Sequence, residues 1–275
     1  MTVIPICESM DPSLDRIGSI GVFADWKLPS DEEIRFIAEE AEFQTVIIGI
    51  AKSDHNGWSP KIQSQRIVER AIACRDAGLE TIIMPWLVRR HDAIEGVCDW
   101  ICNYFTASDP IVFDAEEGCY SGSVTPEAMA DRIADRLVGR VWGVTGIGNL
   151  HGDLRPLVER ARLICPQCYP FWKPGSAYHW SHSRATFPGP QQDVGALIWR
   201  EFAPDARLAM GLGCYWGSRP GQGTTPYLSA PHTMRFAAVE TAALGINEAW
   251  YWSLKWLIAG TDAGLKVRRF FGISV

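Results

Sequence analysis

Apolar residues recur along the chain in short runs separated by polar, helix-compatible stretches. The runs are SIGVFA, TVIIGI, ETIIMPW, PIVFDA, RVWGVTG, LICPQCY, RLAMGLG and AWYWSL, beginning near residues 19, 45, 80, 110, 140, 163, 207 and 249. Each has the length and β-branched or aromatic content of a strand buried on both faces. Eight such units average about 34 residues, the room that a strand, a crossover helix and two turns require. The pattern predicts an α/β protein, a single TIM-like (β/α)8 barrel with long loops on its C-terminal face. Residues 1–275 read as one catalytic barrel domain, with 1–18 as a lead-in. An open doubly wound sheet is the alternative, but no GxGxxG opens the first helix as dinucleotide binding there requires.

Local punctuation supports these units. Ser30-Asp31-Glu32-Glu33 has the form of a capping box, followed by Ile34, Ile37, Ala38 and Ala41 on one helical side. Ser64 through Ala77 predicts a second helix closed by Gly78. In VTPEAMADRIADRLVG, Thr125 is placed as an N-cap, Pro126 as the first helical residue and Gly139 as the stop. Two connections exceed ordinary loop length, residues 170–192 and 215–232. Both follow strands, so in a barrel they rise from the C-terminal rim as candidate active-site loops.

The motif with the clearest chemistry is PIVFDAEEG, residues 110–118. On a strand over 111–115, the two-residue period puts Val112, Asp114 and Glu116 on one face and Ile111, Phe113 and Ala115 on the other, which packs on helices. Asp114 and Glu116 then meet at the mouth of the fourth strand. Glu117 starts the outgoing loop in a supporting role, and Gly118 relieves crowding at the turn. Two close carboxylates resist simultaneous ionisation, so one can stay protonated near neutral pH. For glycosidic cleavage Glu116 is the general acid toward the departing sugar oxygen, and Asp114 orients or stabilises the reacting sugar. Attack by a substrate acetamido oxygen, by a carboxylate or by an activated water all remain open at this level.

These features resemble the GH25-type muramidases among TIM-barrel glycoside hydrolases. The resemblance lies in GVFAD at residues 21–25, PIVFDAEEG at 110–118 and AWYWS at 249–253. It implies a first-strand acid at Asp25 beside Asp114 and Glu116. It also implies an amino-sugar substrate, bacterial peptidoglycan cut between N-acetylmuramic acid and N-acetylglucosamine. A lysis enzyme of this kind, without an obvious signal peptide, implies synthesis in the cytoplasm and delivery to the wall by a separate membrane-opening system.

Composition narrows the remaining classes. Apolar residues make up 47% and charged residues 21%, as in a globular protein, and 26 Lys and Arg against 32 Asp and Glu leave a net charge of -6 with no basic run for nucleic acid. No segment reaches the roughly 18 unbroken apolar residues of a membrane span. Eight cysteines, in a chain with no conventional signal peptide, read as thiols and partly as small core residues. Twelve tryptophans are unusually many, and Trp26, Trp86, Trp172, Trp216 and Trp252 fall at or beyond strand ends, where each suits either a sugar face or core and rim packing. His55, beside Asp54, is a further rim candidate for substrate. His151, His179, His182 and His232 read as incidental polar groups, and CPQC at 165–168 as core rather than a redox or zinc pair. The reading requires no cofactor and no metal. Two other classes stay open: a metal-dependent barrel hydrolase or lyase using Asp114, Glu116 and Glu117, and a noncatalytic carbohydrate-binding barrel.

Overall fold

The computed structural model describes residues 18–24, 26–51, 58–147, 153–167, 170–171, 179–180, 198–213, 241–242, 244–252 and 254. Eight staves form a closed parallel barrel: β1 (Ser19–Phe23), β2 (Thr45–Ile50), β3 (Glu80–Pro85), β4 (Ile111–Asp114), β5 (Trp142–Ile147), β6 (Leu163–Gln167), β7 and β8 (Glu248–Trp252). Strand β7 comes in two pieces, Arg207–Leu208 and Met210–Gly213, which share one edge of β6. The first pairs at Leu163↔Arg207, the second at Gly211↔Gln167, and between them the Ala209 N–H donates to the Ile164 carbonyl at 3.0 Å. Strand β8 closes the ring on β1 from Ser19↔Glu248 to Phe23↔Trp252. All eight apolar runs became strands.

The strands alternate between two apolar layers, which is why their sequences are apolar throughout. Phe23, Ile47, Ile82, Met84, Val112, Leu163, Cys165, Ala209 and Trp250 fill the barrel. The intervening residues, such as Val22, Ile48, Ile111, Phe113 and Val144, pack outward on the helices. Gly21 shows how tightly the interior is filled, because a Cβ there would stand 2.7 Å from Trp250 Cδ1. No larger residue fits beside that indole without displacing it.

Helix α1 (Asp31–Arg35) opens with the expected capping box and continues as a π-helical turn over Phe36–Glu40. Helices α2 (Ser64–Asp76) and α3 (His91–Tyr104) bury Ile67, Ala71, Cys74, Ile94, Val97 and Ile101 against the strands. After the single turn α4 (Glu117–Tyr120), helix α5 (Pro126–Arg136) begins at Thr125, whose hydroxyl accepts from the Ala128 N–H, and α6 (Arg155–Arg160) follows β5. Gly78 and Gly139 take the positive φ of helix stops, 83° and 77°. Within the long connection at 170–192, Pro170–Phe171 and His179–Trp180 form a two-residue antiparallel ribbon. The loop at 215–232 lies outside the described residues. No helix among the described residues is long and apolar enough to cross a membrane.

A charged network closes the N-terminal end of the barrel. Arg207 donates through Nη2 to Glu80 Oε2 at 2.7 Å and through Nε to Glu248 Oε2 at 2.8 Å, and Thr45 Oγ1 donates to Glu80 at 3.0 Å. The hydrogen bond from Arg207 is the main cause holding the Glu80 carboxyl below its ordinary range. We expect Arg207→Met to lower stability by about 1–3 kcal/mol, since Glu248 stays buried without its charged partner and keeps only the Trp250 indole N–H, while the partial exposure of Arg207 and Glu80 screens the rest. A carboxylate with a lowered native pKa stabilises above its unfolded value and loses that contribution as pH falls through the native one. Denaturant titrations should therefore show the difference between parent and variant shrinking from neutral to acid pH.

Candidate active site

The two-residue period of β4 sets the orientation of its acid. Ile111 and Phe113 pack outward and Val112 inward, so Asp114 is the next inward position, at the C-terminal mouth, and it is buried. The strand ends there, one residue short of the expected end, but the ladder continues on both sides. The Ala115 N–H donates to the Thr145 carbonyl at 2.9 Å, and the Leu87 N–H to the Asp114 carbonyl at 3.0 Å. Beyond Ala115, which returns to the outer layer, Glu116 turns the chain into α4 with φ -101° and ψ -135° and remains half-buried. Gly118 permits this turn: a Cβ would fall 2.6 Å from the Leu87 carbonyl oxygen and 3.1 Å from Trp86 Nε1.

The two acids differ in surroundings. Burial, and then the charge of Glu116, raise the Asp114 carboxyl well above its ordinary value, and a hydrogen bond from Gln167 opposes them. Gln167 follows Leu163 and Cys165 on the inward face of β6, and its Nε2 stands 3.5 Å from Asp114 Oδ1 and 3.3 Å from Thr145 Oγ1. Thr145 in turn donates to the Cys165 carbonyl at 2.9 Å. Neither Thr145 nor Gln167 was singled out from the sequence. The signal was there, a polar residue at an inward position of an otherwise apolar strand.

Aromatic rings form one wall of the mouth. Trp86 continues the inward series of Ile82 and Met84, and Trp252 that of Trp250. Trp26 lies 5.8 Å from Trp86 and 6.0 Å from Trp252 between ring centroids, and Phe23 lies 5.1 Å from Trp252. The structure thus brings together Asp114, Glu116, Trp26, Trp86 and Trp252 of the residues expected from sequence. Asp25, His55, Trp172 and Trp216 lie outside the described residues, as does the side chain of Glu117, the first residue of α4. Cys119, buried behind the pair, donates its thiol to the Leu87 carbonyl at 3.5 Å, and burial raises its pKa, which leaves it unreactive. Cys165 of the CPQC segment packs inside the barrel, and Cys168 lies outside the described residues. Among the described residues no three of His, Cys, Asp and Glu gather as ligands for a metal ion.

No protein-family model matches the chain, and no curated protein does. Solved structures do. The xylanase and α-amylase inhibitor protein XAIP-II from Scadoxus multiflorus has TM-score 0.58 at 15% identity, covering 94% of this chain and 99% of that one. A GH113 β-1,4-mannanase has TM-score 0.58 at 10% identity, with coverage of 94% and 99%. The GH18 chitinase ChiB from Flavobacterium johnsoniae has TM-score 0.57 at 12% identity, with coverage of 92% and 93%. At such identities the likeness shows the fold. The class it defines is the TIM barrel, a fold shared by inhibitor and hydrolase structures alike, and it does not reach the GH25-type muramidases that the motifs resemble.

Proposed function

We propose that the chain is a glycoside hydrolase acting on an amino-sugar polysaccharide, with bacterial peptidoglycan as its foremost substrate. The observation that carries this reading is the Asp114 and Glu116 pair at the C-terminal mouth of a closed barrel, one acid buried and the other half-buried, beside an aromatic wall. In a TIM barrel this face is where catalytic groups gather. Burial and the charge of Glu116 raise the proton affinity of Asp114, which favours a pair that shares one proton. Glu116, nearer solvent, delivers that proton to the departing oxygen as the bond to the anomeric carbon breaks. Asp114 holds the acetamido group, whose carbonyl oxygen bonds to the anomeric carbon, and a water deprotonated by Glu116 then opens the intermediate with net retention.

The GH25-like motifs favour peptidoglycan, and the likeness to a chitinase fold makes chitin-like chains the natural comparison. Purified protein is expected to release new reducing ends from at least one member of a panel of peptidoglycan fragments and N-acetylglucosamine oligomers. Failure on every member by verified folded protein overturns the reading. It would favour the noncatalytic carbohydrate-binding barrel, which draws on the same tryptophans.

A further inference from the structure

Gln167 is buried at 3% exposure on the inward face of β6, and its Oε1 has no hydrogen-bond partner among the described residues. The orientation of its amide follows from its neighbour. The Thr145 hydroxyl proton is committed to the Cys165 carbonyl, so toward Gln167 that hydroxyl acts as an acceptor, and the amide nitrogen must lie on its side. The same nitrogen faces Asp114. The carbonyl oxygen is thereby left as a buried acceptor on the side chain that reaches Asp114 at the mouth. Burying such a group unpaired is unfavourable, and a leucine would fill the space without that cost.

We infer that Gln167 is a substrate-binding residue that reads a hydrogen-bond donor on the sugar at the scissile bond, while its N–H positions Asp114. This rests on the hydrolase reading above for its substrate, but its binding step stands without turnover. The ligand group is an N–H or O–H, because Oε1 can only accept. The acetamido N–H and a ring hydroxyl share this chemistry.

The test compares the parent chain with Gln167→Leu, which removes donor and acceptor, and Gln167→Glu, which keeps an acceptor but loses the N–H. Calorimetric titration with N-acetylglucosamine oligomers and with cello-oligosaccharides of equal length is expected to show affinity falling about 5- to 100-fold in Gln167→Leu. A loss confined to the acetylated oligomers assigns the donor as the acetamido N–H, and an equal loss on both assigns a hydroxyl. Gln167→Glu should bind better than Gln167→Leu. It should also move the acid limb of the pH dependence of kcat/KM upward, since a carboxylate now replaces the donor that favours ionised Asp114. That shift tests whether position 167 faces Asp114, and the affinity comparison tests substrate binding, with Gln167→Met taking the place of Gln167→Leu if the latter does not fold.

Parent-like affinity in folded Gln167→Leu, or an unmoved pH profile in Gln167→Glu, overturns the inference and leaves the hydrolase reading standing. Binding by the parent with the expected loss in Gln167→Leu, but no release of reducing ends from these oligomers or from peptidoglycan fragments, supports the inference and sinks the hydrolase reading. A parent that binds no oligomer of either kind overturns the inference, and one that also cleaves no peptidoglycan fragment defeats both.

Discussion

Glu116→Gln is expected to slow turnover by about 10²-fold or more while the barrel melts where the parent does. The substitution keeps the volume of a half-buried side chain and removes only its capacity to give up and retake a proton, so packing has little reason to change. On defined peptidoglycan fragments the loss should fall on the chemical step, with KM nearly unchanged, because the acid acts only as the leaving oxygen develops charge. Product analysis over time also reports stereochemistry. Retention at the anomeric carbon fits attack by the acetamido oxygen, whereas inversion requires direct attack by water and carboxyl groups about 6.5–9.5 Å apart. Near-parent turnover in folded Glu116→Gln removes Glu116 from the acid role.

Asp114→Asn should move activity and stability in opposite directions. Asp114 is buried, and burial together with Glu116 raises its pKa above the value it has in the unfolded chain. A carboxyl raised in this way favours folding below its unfolded pKa, and that contribution is lost as pH rises through the native value. At neutral pH the native state therefore holds this acid at a cost that asparagine does not incur. The variant is expected to melt above the parent at neutral pH, by roughly 2–4 °C for each kcal/mol relieved, and the gap should close toward acid. Turnover should fall by about tenfold or more. An amide keeps the hydrogen bond to Gln167 but cannot share the proton of Glu116 or align an acetamido group as a carboxyl does. A variant that is both less stable and fully active would show that Asp114 is a packing residue.

Much of this architecture is legible in one dimension because its causes are local. Thr125, Pro126 and Gly139 bound α5 through capping, a fixed φ and a positive φ, none of which needs a distant partner. The alternation in IVFD places Val112 and Asp114 on the opposite face from Ile111 and Phe113 whatever the strand pairs with, so an acid at the mouth follows from the period once a barrel is granted. The π-helical turn after α1 was not legible, because it replaces a regular turn without altering which residues are apolar.

The sequence by itself determined the eight strands, their helix caps and the inward face that carries Asp114. Only the tertiary structure decided which strand ends become neighbours. Closure of the ring brings Gln167 to Asp114 across 53 residues, Arg207 to Glu80 across 127, and Trp26 between Trp86 and Trp252. Side-chain period is a property of one strand, whereas the stagger of a closed barrel is a property of all eight together. The proton affinity of Asp114 depends on that closure, since burial is the largest cause raising it and is not written in the order of the residues, whereas the neighbouring charge of Glu116 is.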